Sequence, residues 1–219
     1  MVLAQGCECM HHSRMTESVV STLPLFPLNT VVFEGGLLPL QIFEPRYLHM
    51  VRQCERDGTG FAVATLTHGR EVRGPQDGPE QFQPLGSVMK LERVETAAPG
   101  VLMIWTRAQA RCRITQARQQ ADGLWLGNIE ALPAPAAIPI PESLISLRAT
   151  IIRTLQQMPS YDTPVQPWPE PWLLDDCHWL SCRWGDLLTL PLDMKYRLFA
   201  LDDPLLRLEL IHDLLHPSE

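Results

Sequence analysis

The sequence predicts an α+β protein in which a small closed β-sheet is followed by a bundle of helices. Three observations support this. Residues 22–132 are short apolar runs broken by Pro, Gly and Asn, which is typical of short antiparallel strands. Residues 133–141 read Pro-Ala-Pro-Ala-Ala-Ile-Pro-Ile-Pro, which predicts a semi-rigid linker. Residues 142–219 carry apolar side chains at spacings of three and four, which indicates helices.

The strands of the first region are separated by recognisable turns. The chemistry of Glu34-Gly35-Gly36 predicts one turn, and Asp122-Gly123 predicts a hairpin between the last two strands. The prolines near residue 24 suit an edge strand or a bulge. The predicted strands are 23–28, 31–33, 37–43, 60–67, 86–95, 101–108, 111–117 and 124–131.

One helix interrupts the strands. Glu44 can cap it, Pro45 suits its first turn and Gly58 ends it. The apolar stripe expected on its buried face is Tyr47, Leu48, Val51 and Cys54.

The helices of the last third follow the linker. A first stripe consists of Leu144, Leu147, Ile151 and Leu155. Asp175 or Asp176 is expected to cap the next helix, and Asp203-Pro204 begins the last one. Because the last helix has apolar residues on two sides, we expect it to pack between neighbours. Residues 1–21 show no periodicity and predict a disordered tail.

Charge and lysine usage exclude several functions. Only Lys90 and Lys195 among the 18 basic residues are lysines, and neither follows a glycine-rich loop. A P-loop ATPase is therefore excluded, and a Ser-Lys peptidase is disfavoured. The net charge is −7, and residues 133–219 alone carry 6 basic and 12 acidic groups. A broad cationic surface for DNA is therefore not expected.

The cysteines and histidines predict no metal or cofactor site. The six cysteines are scattered, and the first 18 residues contain no apolar signal segment, so we expect a cytoplasmic protein with reduced thiols and no membrane span. Cys177 and Cys182 lie five residues apart on a helix and cannot face one ion. The tail also carries metal-binding residue types, which favour adventitious binding over a structural site; they are Cys7, Cys9, His11 and His12.

Residues 23–47, LPLFPLNTVVFEGGLLPLQIFEPRY, resemble the opening of the LON substrate-binding domain, the N-terminal domain of ATP-dependent Lon proteases. Later segments match the same family in order and extend the resemblance over about residues 22–215. They are Gly86-Ser87-Val88, Arg111-Cys112-Arg113-Ile114, Asp122-Gly123-Leu124-Trp125 and residues 190–210. The chain ends where the ATPase and protease of Lon would begin, so the resemblance suggests a free-standing LON domain protein.

The resemblance implies a PUA-like β pseudo-barrel followed by a C-terminal helical bundle, and a role in recognising unfolded or tagged polypeptides. The leading hypothesis is therefore a non-enzymatic polypeptide-binding or adaptor module without catalytic residues. Two alternatives stay open: an RNA-binding PUA-like module, which a salt-sensitive affinity would reveal, and an enzyme whose site forms across the two parts.

Three residues are candidates for contacting unfolded or apolar polypeptide segments. Arg46 could bind a carboxylate or a loop carbonyl, although a structural role at the strand-to-helix joint is the simpler interpretation. Trp168 and Trp172 lie in a proline-rich loop and either form a contact surface or fold back onto the bundle. Phe26, Phe33 and Phe43 are expected in the barrel core.

Overall fold

The structure, a computed structural model, describes residues 20–72, 78–157, 164–168 and 170–216. The tail predicted at residues 1–21 lies outside these ranges up to residue 19, and β1 begins at Val20. The strands are β1 Val20–Leu28, β2 Leu37–Ile42, β3 Phe61–His68, β4 Gln81–Ala98, β5 Val101–Gln119 and β6 Trp125–Ala131. The helices are α1 Pro45–Asp57, a 3₁₀ turn at Glu142–Leu144, α2 Ile145–Gln157, α3 Cys177–Leu187, α4 Leu192–Ala200 and α5 Pro204–Leu215.

Five of the strands close into a ring. The pairing order is β2-β5-β4-β3-β1-β6, and β5 also pairs with β6. This pairing closes the ring of β5, β4, β3, β1 and β6, while β2 pairs with β5 beside the ring. β1 and β3 are parallel, since β2 and α1 lie between them in the chain, and the other pairs are antiparallel. The predicted α+β fold, a β pseudo-barrel followed by helices, is confirmed.

The two strands predicted at 101–108 and 111–117 are one long strand, β5. The register passes from Val88 opposite Ala110 to Met89 opposite Ala108, so Gln109 is an extra residue in β5. A bulge of this kind bends a strand without ending its pairing, which explains why no turn is found there. The hairpin at Asp122-Gly123 is confirmed, with Gly123 at φ 87°.

Apolar side chains fill both faces of the closing strands. Apolar residues from four strands around the ring pack on one another, among them Leu25, Ala64, Cys112 and Ile129. A larger cluster joins the strands to α1 and contains the buried residues Tyr47, Met50, Val51 and Cys54. α1 ends as predicted, with Gly58 at φ 63°. Glu44 stands at the N-cap, but its carboxylate bonds to Arg46 and does not cap the helix.

The segment predicted as a strand at 31–33 is irregular chain that joins the barrel to the bundle. Phe33 leaves the barrel and packs with the bundle cluster, where its ring meets Phe199 edge-on at 5.6 Å between centroids. A Cβ on Gly185 would lie 2.5 Å from the Phe33 ring, so glycine is needed for this approach. Phe26 is in the barrel core as predicted. The expectation is wrong for Phe33, which is buried in the bundle cluster, and for Phe43, which is 49% exposed.

The helices pack into one apolar cluster. It contains the predicted α2 stripe, of which Leu147 and Ile151 are fully buried, and its other buried members include Leu180, Leu198, Leu208 and Ile211. Asp203 caps α5 by accepting bonds from the amides of residues 205 and 206. None of the helices in the described ranges is long and apolar enough to cross a bilayer.

The linker at 133–141 is extended and lies against the start of α3. Asp176 caps α3 by accepting a bond from the Trp179 amide, and it also accepts a bond from the Ile138 amide at 3.1 Å. Ile138 and Ile140 pack on the helical cluster. The division of the chain into separate units at 22–132 and 142–219 stays a prediction.

Candidate functional site

α5 has one buried face and one exposed face. Leu208 and Ile211 are fully buried, but Leu206, Leu210 and Leu214 are each about two-fifths exposed. The expectation that both faces of this helix pack between neighbours is therefore wrong. α5 packs mainly on α3, and within the described residues its second face finds no element that covers it.

The exposed face of α5 forms one wall of a groove whose other wall is α4. The groove has a volume of about 360 Å³, and most of its surface is apolar. It is lined by Met194, Arg197, Leu198, Leu201, Leu210, Asp213 and Leu214, and is called the α4–α5 groove below. Its two charged side chains, Arg197 and Asp213, have opposite signs, so the groove suits apolar groups and is close to neutral.

Arg46, the first predicted contact residue, is only 7% exposed. Its guanidinium donates to Glu44 at 3.0 Å, to Glu80 at 3.3 Å and to the carbonyl of Gly123 at 2.9 Å. These bonds tie the start of α1 to the hairpin between β5 and β6. The surroundings of Arg46 therefore favour the structural role that the sequence left open.

The two tryptophans of the proline-rich loop differ in exposure. Trp168 is buried, and the Arg183 guanidinium lies over its ring at 5.6 Å. Trp172 is 36% exposed, stands beside the exposed Leu173, and donates its indole N–H to the Trp168 carbonyl at 3.1 Å. Of the three predicted contact residues, only Trp172 presents its side chain to solvent.

A second cleft lies where the barrel meets the bundle. Two cavities of about 300 and 270 Å³ share five lining residues, and the two together are called the junction cleft. The shared residues are Thr30, Val31, Asp186, Leu187 and Lys195. The side chains of Asp186 and Lys195, from α3 and α4, thus face a gap bounded by the irregular segment before β2. Sequence reasoning did not find this site, because its residues are far apart in the chain and belong to no motif.

The carboxylate of Asp186 is held on the barrel side of the junction cleft. It lies 3.1 Å from Arg183 Nη2 and accepts hydrogen bonds from the Trp168 indole and the Phe33 amide. A Cβ on Gly36 would approach its Oδ1 to 2.9 Å, so glycine allows this close packing. Burial raises the pKa of Asp186 to about 6, although Arg183 and Lys195 oppose the rise.

Lys195 is half-buried in the same cleft. Its ammonium makes one hydrogen bond within the described residues, a long one of 3.5 Å to the carbonyl of Leu188. Burial lowers the pKa of Lys195, and Asp186 opposes the change. Lys195 thus differs from Arg183, whose charge is matched by a carboxylate in direct contact.

His178 and Cys182 lie in a buried polar cluster near the place where the barrel meets the bundle. The imidazole is 3.4 Å from Glu34 and 3.9 Å from the Cys182 sulfur. Burial would lower the pKa of His178, but the interactions with Cys182 and Glu34 outweigh it and raise the pKa to about 9. Burial also raises the pKa of Cys177 to about 11. Among the described residues no group of three His, Cys, Asp or Glu is placed to hold a metal ion, and the tail cysteines and histidines lie outside them.

Sequence reasoning missed a set of buried arginines that join the barrel to the helices. Arg107 donates to the carbonyls of Gly35, Gln166 and Pro167, and Arg111 donates to those of Phe199 and Leu201. Arg183 of α3 donates to the carbonyl of Glu34, in the segment before β2, and Arg207 donates to the carbonyls of Leu198 and Leu201 within the helical part. The strong preference for Arg over Lys was the available signal, since a planar guanidinium can bind several carbonyls at once.

Comparison with known proteins identifies the class of this domain. The chain belongs to the family of the ATP-dependent protease La (LON) substrate-binding domain, whose match covers residues 22–217. The expected relationship to Lon N-terminal domains is therefore confirmed, and the domain is a substrate-recognition module of that type.

Solved structures agree with this assignment. A Lon N-terminal domain protein from Xanthomonas campestris is similar, with 27% identity, 91% of this chain and 99% of that one covered, and a TM-score of 0.68. The N-terminal domain of Mycobacterium avium complex Lon protease shares the fold at 15% identity, with a TM-score of 0.58 over 91% of this chain and 100% of that one. Protein cereblon of Danio rerio is 27% identical over 118 residues, which are 53% of this chain and 27% of that protein.

Proposed function

We propose that this chain is a non-enzymatic polypeptide-binding or adaptor module that recognises unfolded or apolar polypeptide segments. Membership of a substrate-binding family supports a polypeptide partner in general. The observation that carries the finer proposal is the α4–α5 groove, an open and mostly apolar surface. Burial of apolar surface is the main attraction that an unfolded segment can offer to a binding protein.

The spacing of the exposed leucines on α5 suits an extended segment. Leu206, Leu210 and Leu214 are four residues apart, which places them about 6 Å apart along the helix axis. Side chains on one face of an extended chain recur every two residues, or about 6.6 Å. An extended segment lying along α5 can therefore set successive apolar side chains beside successive leucines.

Charge supports an apolar contact over an ionic one. The groove carries one residue of each sign, Arg197 and Asp213, and the whole chain has a net charge of −7. Few counterions would be released on binding, so we expect an affinity that salt changes only mildly. On the same grounds we propose that the chain binds neither DNA nor membranes, and the scattered cysteines favour a cytoplasmic location.

The positions of the two lysines favour the absence of ATPase and peptidase activity. Lys90 is exposed on β4, and Lys195 lies in the junction cleft, whose lining contains no serine, cysteine or histidine. A Ser-Lys dyad needs a serine within hydrogen-bond reach of the lysine. We propose a recognition role without chemistry for this chain, and no cofactor.

The test is binding of a fluorescein-labelled, permanently denatured model polypeptide, followed by fluorescence anisotropy at low and high salt. We expect a dissociation constant in the micromolar range or weaker for the wild type. The double variant Leu210→Asp, Leu214→Asp should bind about tenfold more weakly, because it places charges in the apolar groove. Leu173→Asp is the matched control, since Leu173 is 53% exposed and lies outside the groove lining.

Four results would contradict the proposal. Unchanged binding by the double variant would show that the groove is not the contact surface, and loss with Trp172→Ala would move it to the proline-rich loop. A structured RNA that binds more tightly, with an affinity that collapses at high salt, would favour the RNA-binding alternative. Failure of both ligands to bind would indicate a dedicated folded partner.

A further inference from the structure

The junction cleft contains a cation that has no carboxylate in direct contact within the described residues. The Lys195 ammonium is half-buried, and its one hydrogen bond in the described part of the chain is the 3.5 Å bond to the Leu188 carbonyl. Removing an ammonium from water is costly unless an anion compensates it. The nearby carboxylate of Asp186 is already bound by Arg183 at 3.1 Å and by the Trp168 and Phe33 N–H groups.

The charges around the cleft therefore favour an anionic ligand. The charged residues of the cleft lining are Asp186 and Lys195, and the Asp186 carboxylate is already paired at 3.1 Å with Arg183, which lies outside the lining. This pairing leaves the positive charge of Lys195 in excess, in a chain whose net charge is −7. The excess lies at the Lys195 ammonium, whose hydrogen bond within the described residues goes to a neutral carbonyl, that of Leu188. A single carboxylate would neutralise it and restore the hydrogen bonds that the ammonium lost on burial.

The residues that line the cleft indicate the polarity and size of the rest of the ligand. Beside Lys195 stand apolar side chains from the barrel and from α3, among them Val31, Leu38 and Leu187. The polar side chain of Thr30 lines both cavities. The two volumes, about 300 and 270 Å³, are too small for a folded partner and large enough for the last residue or two of a chain.

We propose that the junction cleft binds the free C-terminal carboxylate of a polypeptide whose last residue is apolar, with Lys195 as the carboxylate-binding residue. This inference rests on the proposed function and deepens it, because it names the part of the polypeptide that is recognised. The carboxylate accepts hydrogen bonds from the Lys195 ammonium, and the terminal side chain packs against Val31 and Leu187. The α4–α5 groove, whose lining includes Met194 next to Lys195 in α4, receives apolar residues elsewhere in the segment.

The experiment compares two fluorescein-labelled hexapeptides that end in leucine, one with a free C-terminal carboxylate and one with a C-terminal amide. Binding to the full chain is followed by anisotropy. We expect the free acid to bind about tenfold more tightly than the amide, as for a hydrogen-bonded charge pair. Lys195→Met should remove this preference, and Lys195→Arg should keep part of it.

The control variant is Lys90→Met. Lys90 is the other lysine of the chain, it is exposed on β4, and it lies outside the cleft lining. It should retain the full preference for the free acid. N-acetyl-leucine should displace the acid peptide, whereas N-acetyl-leucinamide should not. Melting temperatures of all variants should be measured first, so that a loss of fold is not read as a loss of binding.

Several results would overturn the inference. Equal binding of acid and amide by the wild type would show that the C-terminus is not recognised, while binding of both would leave the proposed polypeptide function intact. Absence of binding for both peptides and for the denatured polypeptide would contradict that function as well. A preference for the acid that survives in Lys195→Met would assign a purely structural role to Lys195. A short aliphatic carboxylate that binds more tightly than the peptide would assign the cleft to a small metabolite.

Discussion

The barrel and the helical bundle bury their apolar surfaces in different ways. In the barrel, five strands close on themselves, and apolar side chains on both faces of the strands are covered, by the ring interior on one side and by α1 on the other. In the bundle, one apolar face of α5 packs on neighbouring helices, while Leu206, Leu210 and Leu214 on its other face stay exposed. Closure of a sheet removes its free edges, whereas a small group of helices always has an outer side.

This difference locates the surfaces that are available for binding. The α4–α5 groove belongs to the bundle, and the junction cleft lies at the seam between bundle and barrel. At the same seam, Arg107 and Arg111 of β5 donate to carbonyls of the loops and helices. We therefore propose that the helical side offers the contact surfaces and that the barrel supports them.

The largest effect on the free energy of unfolding is expected from replacing Phe33, which connects the barrel to the bundle. This residue is in the barrel's segment before β2 but is buried in the bundle cluster, against Phe199 and Gly185. Phe33→Ala should lower the free energy of unfolding by about 3–5 kcal/mol, because it removes buried surface and leaves a cavity. Urea melts followed by tryptophan fluorescence measure this loss.

Phe43→Ala is the control for the Phe33 variant. Phe43 is 49% exposed at the end of β2, so its replacement should change the free energy of unfolding by less than about 1 kcal/mol. Equal effects of the two substitutions would mean that Phe33 does not join the two regions.

The contrast between Phe33 and Phe43 also shows what the sequence could predict. Alternation and helical periodicity act over a few residues, so they correctly placed α1, the stripe of α2 and the cap at Asp203. They could not tell which of three similar phenylalanines faces the bundle, since that depends on contacts between distant parts of the chain. For the same reason Asp186 and Lys195 gave no local signal, and the exposed face of α5 looked like a packed one.

A smaller effect is expected at the ion pair between Glu34 of the barrel segment and His178 of α3. The pKa of His178 is raised from 6.5 to about 9, so the folded state holds the proton more strongly than the unfolded state. The stabilisation is complete below about pH 6.5 and is lost as the pH rises through about 9, and it amounts to about 3 kcal/mol at most. The free energy of unfolding, measured from pH 6 to pH 10 for wild type and His178→Gln, should therefore differ most at the lowest pH.

His49→Gln is the control for that series, because His49 is exposed on α1. Its difference from wild type should stay small and flat across the same pH range. A difference between wild type and His178→Gln that grew with pH would contradict the protonated, ion-paired state of His178.

The smallest effect is expected on the exposed face of α5, and its smallness is informative. Leu210→Gln should change the free energy of unfolding by about 0.5 kcal/mol or less, because Leu210 is 39% exposed and glutamine is a good helix former. Leu208→Gln, two residues away on the buried face, should cost several times more, since it buries an amide in the apolar cluster.

Urea melts of the two variants measure both changes in the free energy of unfolding. If Leu210→Gln destabilised the chain as much as Leu208→Gln, the leucines of the groove would serve the fold, and their exposure could no longer be taken as a sign of a partner. If it leaves stability unchanged but weakens binding of the denatured polypeptide, the outer side of the bundle is retained for recognition, in contrast to the barrel, whose apolar residues serve the fold.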